Sequence, residues 1–195
     1  MTRRLRTAVL ISGRGSNMMS LVDAAKSSDY PAEIVLVISN RPKAAGLDKA
    51  EASGIKTVSI NHKAFHDREA FEDELHAALK AHEIEFIACA GFMRVLTEGF
   101  VSKWNRRMIN IHPSLLPKYK GLHTHRRALE AGDSEAGATV HWVVPEVDGG
   151  DIIDQMSVPI RADETEESLQ SRILEKELLL YPKALKKAAQ AVLSA

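Results

Sequence analysis

The chain has little of what marks a secreted, membrane-bound or strongly charged protein. It contains one cysteine, Cys89, so no disulfide can form within the chain, and this favours a reducing compartment. Basic and acidic side chains number 26 each, so the net charge gives no reason to expect binding to nucleic acid or to an anionic membrane. The apolar run after Arg3, Arg4 and Arg6 is too short to span a bilayer, and no small-residue cleavage site follows it. We therefore expect a cytoplasmic protein.

Several catalytic and nucleotide-binding motifs are also missing. The sequence has no Gly-x-Ser-x-Gly nucleophile elbow and no phosphate loop ending in Gly-Lys-Ser/Thr. The turn at 13–17 carries two glycines of a dinucleotide fingerprint, but Met18 stands where the third is needed, which disfavours an NAD site. Such a turn before a helix suits a phosphate monoester, because backbone N–H groups there are free to bind an anion. A tight turn and an N-cap at Ser16 or Asn17 would explain the same residues without a ligand.

The order of apolar segments predicts a single α/β domain over residues 1–195. A chain of 195 residues with 45% hydrophobic content can bury one sizeable core. Short apolar runs alternate with helical patterns up to residue 111, which predicts a doubly wound, mostly parallel, Rossmann-like sheet. The predicted strands are 5–12, 34–38, 56–60, 86–90 and 108–111, and the predicted helices are 18–25, 43–53 and 67–81.

The C-terminal part of the chain has a different pattern. Strands at 138–144 and 152–160 are separated by a short link, which predicts an antiparallel pair near the C-terminal end of the chain. A long C-terminal helix over 165–193 follows, and Pro182 is expected to kink or interrupt it. In an open parallel sheet, ligands bind beyond the C-terminal ends of the strands. This rule selects the loops 13–17, 91–96 and 112–121 as parts of a site.

Asn110, His112 and Asp148 are candidates for carbonyl chemistry. Asn110 and His112 lie two apart on a predicted strand, so their side chains point to the same side. An amide can donate to a carbonyl oxygen that becomes an oxyanion, and a protonated imidazole can stabilise that charge or pass a proton to a leaving nitrogen. Asp148 lies in a glycine-flanked loop and could raise the pKa of that imidazole. Hydrogen bonding within a loop and a plain hairpin turn would explain the same three residues without catalysis.

Five segments together resemble the phosphoribosylglycinamide formyltransferases, a branch of the folate-dependent formyltransferase family. They are 11–17, Ser39-Asn40, 90–94, 110–125 and 148–150, and the most specific begins Asn-Ile-His-Pro and ends Gly-Leu-His-Thr-His. The resemblance covers nearly the whole chain and implies the Rossmann-like formyltransferase fold. It also implies transfer of the formyl group of 10-formyltetrahydrofolate, a co-substrate, to the amino group of glycinamide ribonucleotide, in purine biosynthesis and without a metal.

The resemblance assigns roles to individual residues. The catalytic residues would be Asn110, His112 and Asp148, and the glycinamide ribonucleotide would bind to Gly15, Ser16, Asn17 and Glu177. The 10-formyltetrahydrofolate would bind to Arg68, Met93, Arg94, Val95, Leu96, Asn110, Val143 and Val147. Glu177 has separate support, because helical spacing puts it on the same face as Ile173 and Tyr181, although an exposed edge of that face would explain it equally well. Arg14 and Leu174 differ from the residues that relatives carry near the acceptor.

Other functions remain open at this point. A formyltetrahydrofolate hydrolase or a methionyl-tRNA formyltransferase would carry an additional domain, for which this chain has no room, and a non-catalytic phosphoribosyl-binding module could share the fold. His123 and His125 lack a third metal ligand at suitable spacing, and the basic stretch 118–127 lacks an aromatic platform for RNA. We therefore expect small-molecule substrates, with no metal, nucleic acid or membrane partner. A monomer and a weak homodimer both fit the sequence.

Overall fold

The fold is built on one seven-stranded sheet, which the computed structural model describes within residues 3–195. Its strands are β1 (Leu5–Ile11), β2 (Ala32–Ser39), β3 (Lys56–Ser59), β4 (Phe86–Cys89), β5 (Met108–His112), β6 (Glu135–Trp142) and β7 (Ile152–Pro159). The helices are α1 (Ser16–Ala24), α2 (Ala45–Ala52), α3 (Arg68–Ala81), α4 (Glu98–Lys103), α5 (Thr124–Glu130) and α6 (Glu166–Leu193). A short 3-10 turn, His62–Ala64, precedes α3.

The strand order is β3-β2-β1-β4-β5-β6-β7. The first five strands pair in parallel, while β6 lies antiparallel between β5 and β7. The segments between the parallel strands contain the helices that parallel crossovers require, whereas β6 and β7 are joined by the short link 143–151. The predicted doubly wound, mostly parallel sheet with an antiparallel pair is therefore confirmed. The same arrangement brings the ends of β1, β4 and β5 to one edge.

Two apolar clusters cover the two faces of the sheet. Side chains from α1, α2, α5 and α6 pack in one cluster, and side chains from α3 and α4 pack in the other. Tyr181 of α6 is fully buried, and its hydroxyl donates to the carbonyl of Cys89 at 2.8 Å, which ties α6 to the end of β4. Cys89 is buried among apolar neighbours, as its sequence context predicts.

Two local expectations differ from the structure. The helix α6 begins with a capping box at Thr165 and Ser168, and it runs as one helix of 28 residues through Pro182. The helix is therefore not interrupted at Pro182, because a proline removes only one backbone donor and the packed face of α6 holds the helix together. A kink at Pro182 stays a prediction. The N-cap of α1 is Gly15, so the predicted cap at Ser16 or Asn17 is also wrong. No helix within residues 3–195 is long and apolar enough to cross a membrane.

Candidate active site

The site forms where β5 ends against β6. Asn110 and His112 lie on β5, with His112 buried and Asn110 half-buried, and Pro113 directly follows the strand. The link between β6 and β7 brings Asp148 back to this edge, where its Oδ2 lies 3.3 Å from His112 Nδ1. The structure thus brings together the three residues that the sequence named, although Asp148 is far from the other two along the chain.

Asp148 is held in place by its backbone and by its neighbours. Its φ of 51° lies in the left-handed region, which aspartate adopts more readily than most residues with a side chain. Its Oδ2 accepts a hydrogen bond of 2.9 Å from the Gly121 backbone N–H. Burial acts to raise its pKa, but contacts with His141, Gly121 and His112 outweigh burial and lower the pKa below its ordinary value. Asp148 is therefore a carboxylate at neutral pH.

Both ring nitrogens of His112 face acceptors. Nε2 lies 2.9 Å from the Tyr119 carbonyl oxygen, which can only accept, so Nε2 carries a hydrogen. Nδ1 faces Asp148. Burial lowers the pKa of His112, while the Tyr119 carbonyl and the charge of Asp148 act to raise it, and burial prevails. Asp148 thus acts in the expected direction, but the net pKa is lowered and not raised, because the strand end is more deeply buried than the sequence indicates.

A second histidine, His141, belongs to the same cluster, and the sequence analysis did not identify it. It lies on β6 directly opposite Asn110 and is 2% exposed. Its Nε2 lies 3.3 Å from Asn110 Nδ2 and 3.5 Å from Asp148 Oδ1, and its Nδ1 lies 2.9 Å from the Trp142 carbonyl. In the neutral ring, Nε2 accepts from the Asn110 amide. In the charged ring, Nε2 donates to Asp148 instead.

The glycine turn enters α1 in the way that an anion site requires. Gly15 is the N-cap of α1 with a φ of 73°, and Ser16 and Asn17 are the first two residues of the helix. A Cβ at Gly15 would lie 2.9 Å from the Cα of Gly46, so the close approach of the two loops also requires glycine. Because β1 and β5 are parallel, the first backbone N–H groups of α1, which follow β1, lie at the same edge of the sheet as the C-terminal end of β5.

Asn17 and Glu177 meet although they lie at opposite ends of the chain. Asn17 Nδ2 donates to Glu177 Oε2 at 2.6 Å. Glu177 is 8% exposed, and burial raises its pKa, an effect that the Asn17 hydrogen bond partly opposes. Asn17 Oδ1 is buried and has no hydrogen-bond partner within residues 3–195. The alternative explanation, that Glu177 only marks an exposed edge of the apolar helix face, is therefore wrong.

The residues expected to bind the folate lie along the loop between β4 and α4 and near the end of β6. Met93, Val95 and Val147 are exposed apolar side chains, while Arg94 is half-buried. Leu96 and Val143 both pack against the apolar cluster on the α3 and α4 face of the sheet. Arg68 is exposed at the first residue of α3, after the Asp67 N-cap.

One cavity lies beside the trio and not on it. Its volume is about 460 Å³, and its lining includes Pro113, Ser114, His125, Gln155 and Ile173. Burial lowers the pKa of His125, whose Nε2 has no partner within the described residues. No group of three or more His, Cys, Asp or Glu side chains in the described part of the chain is placed to hold a metal ion.

Comparison with known proteins places the chain among formyl-transferring enzymes. A family model described as formyl transferase matches residues 5–185. The chain is 44% identical to phosphoribosylglycinamide formyltransferase of Escherichia coli (strain K12), over 91% of this chain and 84% of that protein. It is 51% identical to the trifunctional purine biosynthetic protein adenosine-3 of Drosophila melanogaster over 94% of this chain, but it spans only 14% of that protein.

Solved structures agree with these sequence relatives. The crystal structure of phosphoribosylglycinamide formyltransferase from Brucella melitensis matches with a TM-score of 0.92 and 48% identity, covering 96% of each chain. The glycinamide ribonucleotide transformylase 1 of Symbiobacterium toebii matches with a TM-score of 0.94 and 37% identity, over 98% of this chain and 90% of that one. The chain therefore belongs to the formyl transferase family, in the branch of the phosphoribosylglycinamide formyltransferases.

Proposed function

We propose that this chain transfers the formyl group of 10-formyltetrahydrofolate to the amino group of glycinamide ribonucleotide. The products are the N-formyl nucleotide and tetrahydrofolate, and the reaction is a step of purine biosynthesis. The observation that carries the proposal is the position of Asp148, whose carboxylate lies between His112 and His141, while His141 in turn contacts Asn110. This arrangement polarises a carbonyl and moves a proton, and it requires no nucleophile from the protein.

The reaction proceeds by direct attack of the amine. The neutral amino nitrogen of the acceptor forms a bond to the formyl carbon, and the formyl oxygen becomes an oxyanion in a tetrahedral intermediate. Asn110 has two N–H hydrogens, so it can bond His141 with one and this oxygen with the other. Because both substrates are bound together, proximity supplies much of the rate.

The proton moves through His112. The attacking nitrogen releases a proton to His112 Nδ1, directly or through a water molecule, and Asp148 stabilises the imidazolium that results. When the bond between the formyl carbon and the folate nitrogen breaks, that nitrogen takes the proton and tetrahydrofolate leaves. In this proposal His112 begins the cycle neutral, which its lowered pKa favours, and it becomes charged only when it accepts the proton. A His112 that is protonated from the start stays the sequence-based prediction.

We assign the acceptor to the edge between α1 and α6. The phosphate would bind the backbone N–H groups of Gly15, Ser16 and Asn17, and Glu177 would accept hydrogen bonds from hydroxyl or amino groups of the acceptor. The contact between Asn17 and Glu177 supports this assignment, since it joins two residues that resemblance alone had grouped.

The folate donor is assigned to the other side of Asn110. Its ring would lie against the exposed apolar side chains of Met93, Val95 and Val147, with backbone groups of the same loop as hydrogen-bond partners. Leu96 and Val143 support the floor of this region. Arg94 belongs to the segment that would hold the pteridine ring, and Arg68 would contact the carboxylate end of the folate.

One assay separates this function from its rivals. The protein is mixed with 10-formyltetrahydrofolate, with and without glycinamide ribonucleotide, and loss of the formyl group is followed. Loss that requires the acceptor supports the proposal. Loss without the acceptor indicates a hydrolase, and no loss in either mixture indicates a methionyl-tRNA formyltransferase or a non-catalytic module that binds a phosphoribosyl ligand. The single domain, the cytoplasmic location and the monomer or weak homodimer stay predictions.

A further inference from the structure

Ser12 lies at the centre of a buried chain of hydrogen bonds. Its Oγ accepts from the Met93 backbone N–H at 2.7 Å and donates to Asn40 Oδ1 at 2.5 Å. Ser12 is 3% exposed and Asn40 is 1% exposed. Because the Met93 N–H can only donate, the Ser12 hydroxyl must direct its own hydrogen to Asn40, so the direction of the chain is fixed.

The same serine holds the loop after β4 at a second point. The Ser12 backbone N–H donates to the Gly91 carbonyl at 3.1 Å, so Ser12 bonds the loop at both 91 and 93. Ser12 directly precedes Gly13, where the glycine turn begins, and Asn40 directly follows β2. One hydroxyl therefore joins the ends of β1, β2 and β4, and it lies between the two proposed substrate sites.

We propose that Ser12 is a positioning residue for the folate donor, with Asn40 as the group that orients its hydroxyl. The inference rests on the proposed function, in which the segment 93–96 binds the donor. Met93 is the first residue of that segment, and its side chain is 59% exposed, so few contacts of its own hold it. The buried Ser12 hydroxyl fixes the backbone from which this exposed segment projects. Ser12 and Ser39-Asn40 belong to the segments of resemblance, yet neither had a role until the structure brought them together.

The expected effect falls on the donor. In Ser12→Ala the Met93 N–H loses its partner, and an unpaired buried donor is costly enough that the exposed loop should move to find water. We expect the KM for 10-formyltetrahydrofolate to rise about tenfold, while the KM for glycinamide ribonucleotide stays within about twofold. Direct titration with tetrahydrofolate should show the same loss of affinity without any turnover.

Two further variants distinguish positioning from general destabilisation. Thr7→Val is the matched control, because Thr7 carries a fully buried hydroxyl on β1 whose one hydrogen bond within residues 3–195 goes to the nearby Leu5 carbonyl. Asn40→Ala removes a larger buried side chain than Ser12→Ala, yet it leaves the Ser12 oxygen to accept from Met93. If Ser12 positions the donor, Ser12→Ala has the larger effect on donor KM. If only packing matters, Asn40→Ala has the larger effect.

The outcomes separate this inference from the proposed function. Donor KM that rises in the order Thr7→Val, Asn40→Ala, Ser12→Ala supports the inference. If Ser12→Ala does not fold, Ser12→Cys replaces it, because a thiol fills the position but is a much weaker hydrogen-bond acceptor than a hydroxyl. A Ser12 variant with donor KM and tetrahydrofolate affinity equal to those of Thr7→Val overturns it, as does an equal rise in both substrates' KM. An unsubstituted protein that shows no acceptor-dependent turnover overturns the proposed function. In that case, a tetrahydrofolate affinity that falls in the order Thr7→Val, Asn40→Ala, Ser12→Ala would still support a positioning role for Ser12. Equal affinities in the three variants would refute that role.

Discussion

Replacing Asp148 by asparagine removes one negative charge from the centre of the site and changes little else. Asparagine adopts the left-handed region about as readily as aspartate, so the φ of 51° can be kept. Its amide oxygen can still accept the 2.9 Å hydrogen bond from the Gly121 N–H. The loop and the volume of the side chain therefore stay the same, and the substitution tests the charge alone.

The size of the effect follows from the distance between Asp148 and His112. An imidazolium and a carboxylate 3.3 Å apart attract each other by about 5 kcal/mol at an effective dielectric constant of about 20. The asparagine oxygen recovers part of this stabilisation through its dipole. Proton transfer by a positioned side chain contributes about 10²- to 10⁴-fold to a rate. We therefore expect the kcat of Asp148→Asn to fall by about 10²- to 10⁴-fold, with both KM values within about threefold of the parent.

The pH dependence supplies a second measurement. Burial lowers the pKa of His112, and the charge of Asp148 opposes part of that lowering. Without this charge the pKa of His112 falls further. The proposed mechanism needs neutral His112, so activity is lost as the pH falls through its pKa. The acid limb of the kcat profile should therefore move to lower pH in Asp148→Asn, although the maximum rate is much smaller.

Formyl transfer is measured in steady state from pH 5 to pH 9, with thermal unfolding as a check on folding. Asp151→Asn is the matched control, since it removes the same charge from the same link at a side chain that is 73% exposed and pairs with Arg106. We expect this control to keep the parent's kcat. An Asp148→Asn protein that folds and retains more than about a tenth of the parent's kcat would refute the assigned role of Asp148.

Two further substitutions test the acceptor side. Glu177→Gln should raise the acceptor KM about tenfold, yet it should also raise the free energy of unfolding at pH 7 by about 1 kcal/mol, or about 2–4 °C in Tm. The reason is that burial raises the pKa of Glu177, so its ionised form costs stability above that pKa. The gain in stability should vanish in melts at acid pH, where the carboxyl is protonated, and a gain that persists there would contradict this cause. Gly15→Ala should lower the free energy of unfolding by about 1–3 kcal/mol and weaken acceptor binding, because a Cβ would lie 2.8 Å from Met18 Cε and 2.9 Å from Gly46 Cα at a φ of 73°. The control is Gly54→Ala, because Gly54 has a φ of 76° but open space around it. Chemical denaturation of the two variants separates crowding from backbone strain, and equal losses in the free energy of unfolding would show that crowding contributes nothing.

Much of the fold could be predicted because it follows from local patterns. A buried strand appears in the sequence as a continuous apolar run, and a helix appears as apolar residues spaced to lie on one face. The alternation of strands and helices from β1 to β5 was therefore visible in the sequence. The antiparallel pair β6 and β7 followed from the length of one link. The shared side of Asn110 and His112 followed from the period of a strand.

Features that depend on tertiary contacts could not be predicted in this way. His141 lies on a predicted strand, but its importance comes from the register that sets it opposite Asn110, and register between distant strands is not a local property. The net pKa of His112 depends on how deeply the end of β5 is buried. The close approach of Gly46 to Gly15, the N-cap of α1, joins two residues that are far apart in the sequence.

The lowered pKa of His112 strengthens the proposed mechanism, although it differs from the sequence-based expectation. If His112 were charged before the reaction, Asp148 would stabilise the ground state as much as the transition state and would not lower the barrier. A histidine that is neutral at rest acquires its charge only as the amine loses its proton, so Asp148 then stabilises the transition state more than the bound substrates. Asp148 is itself kept ionised by the hydrogen bond from the Gly121 N–H and by its contacts with the two histidines. Burial lowers the pKa of His112, and the contacts of Asp148 lower the pKa of its carboxyl. Because of these two effects, the ion pair between His112 and Asp148 forms only during the chemical step.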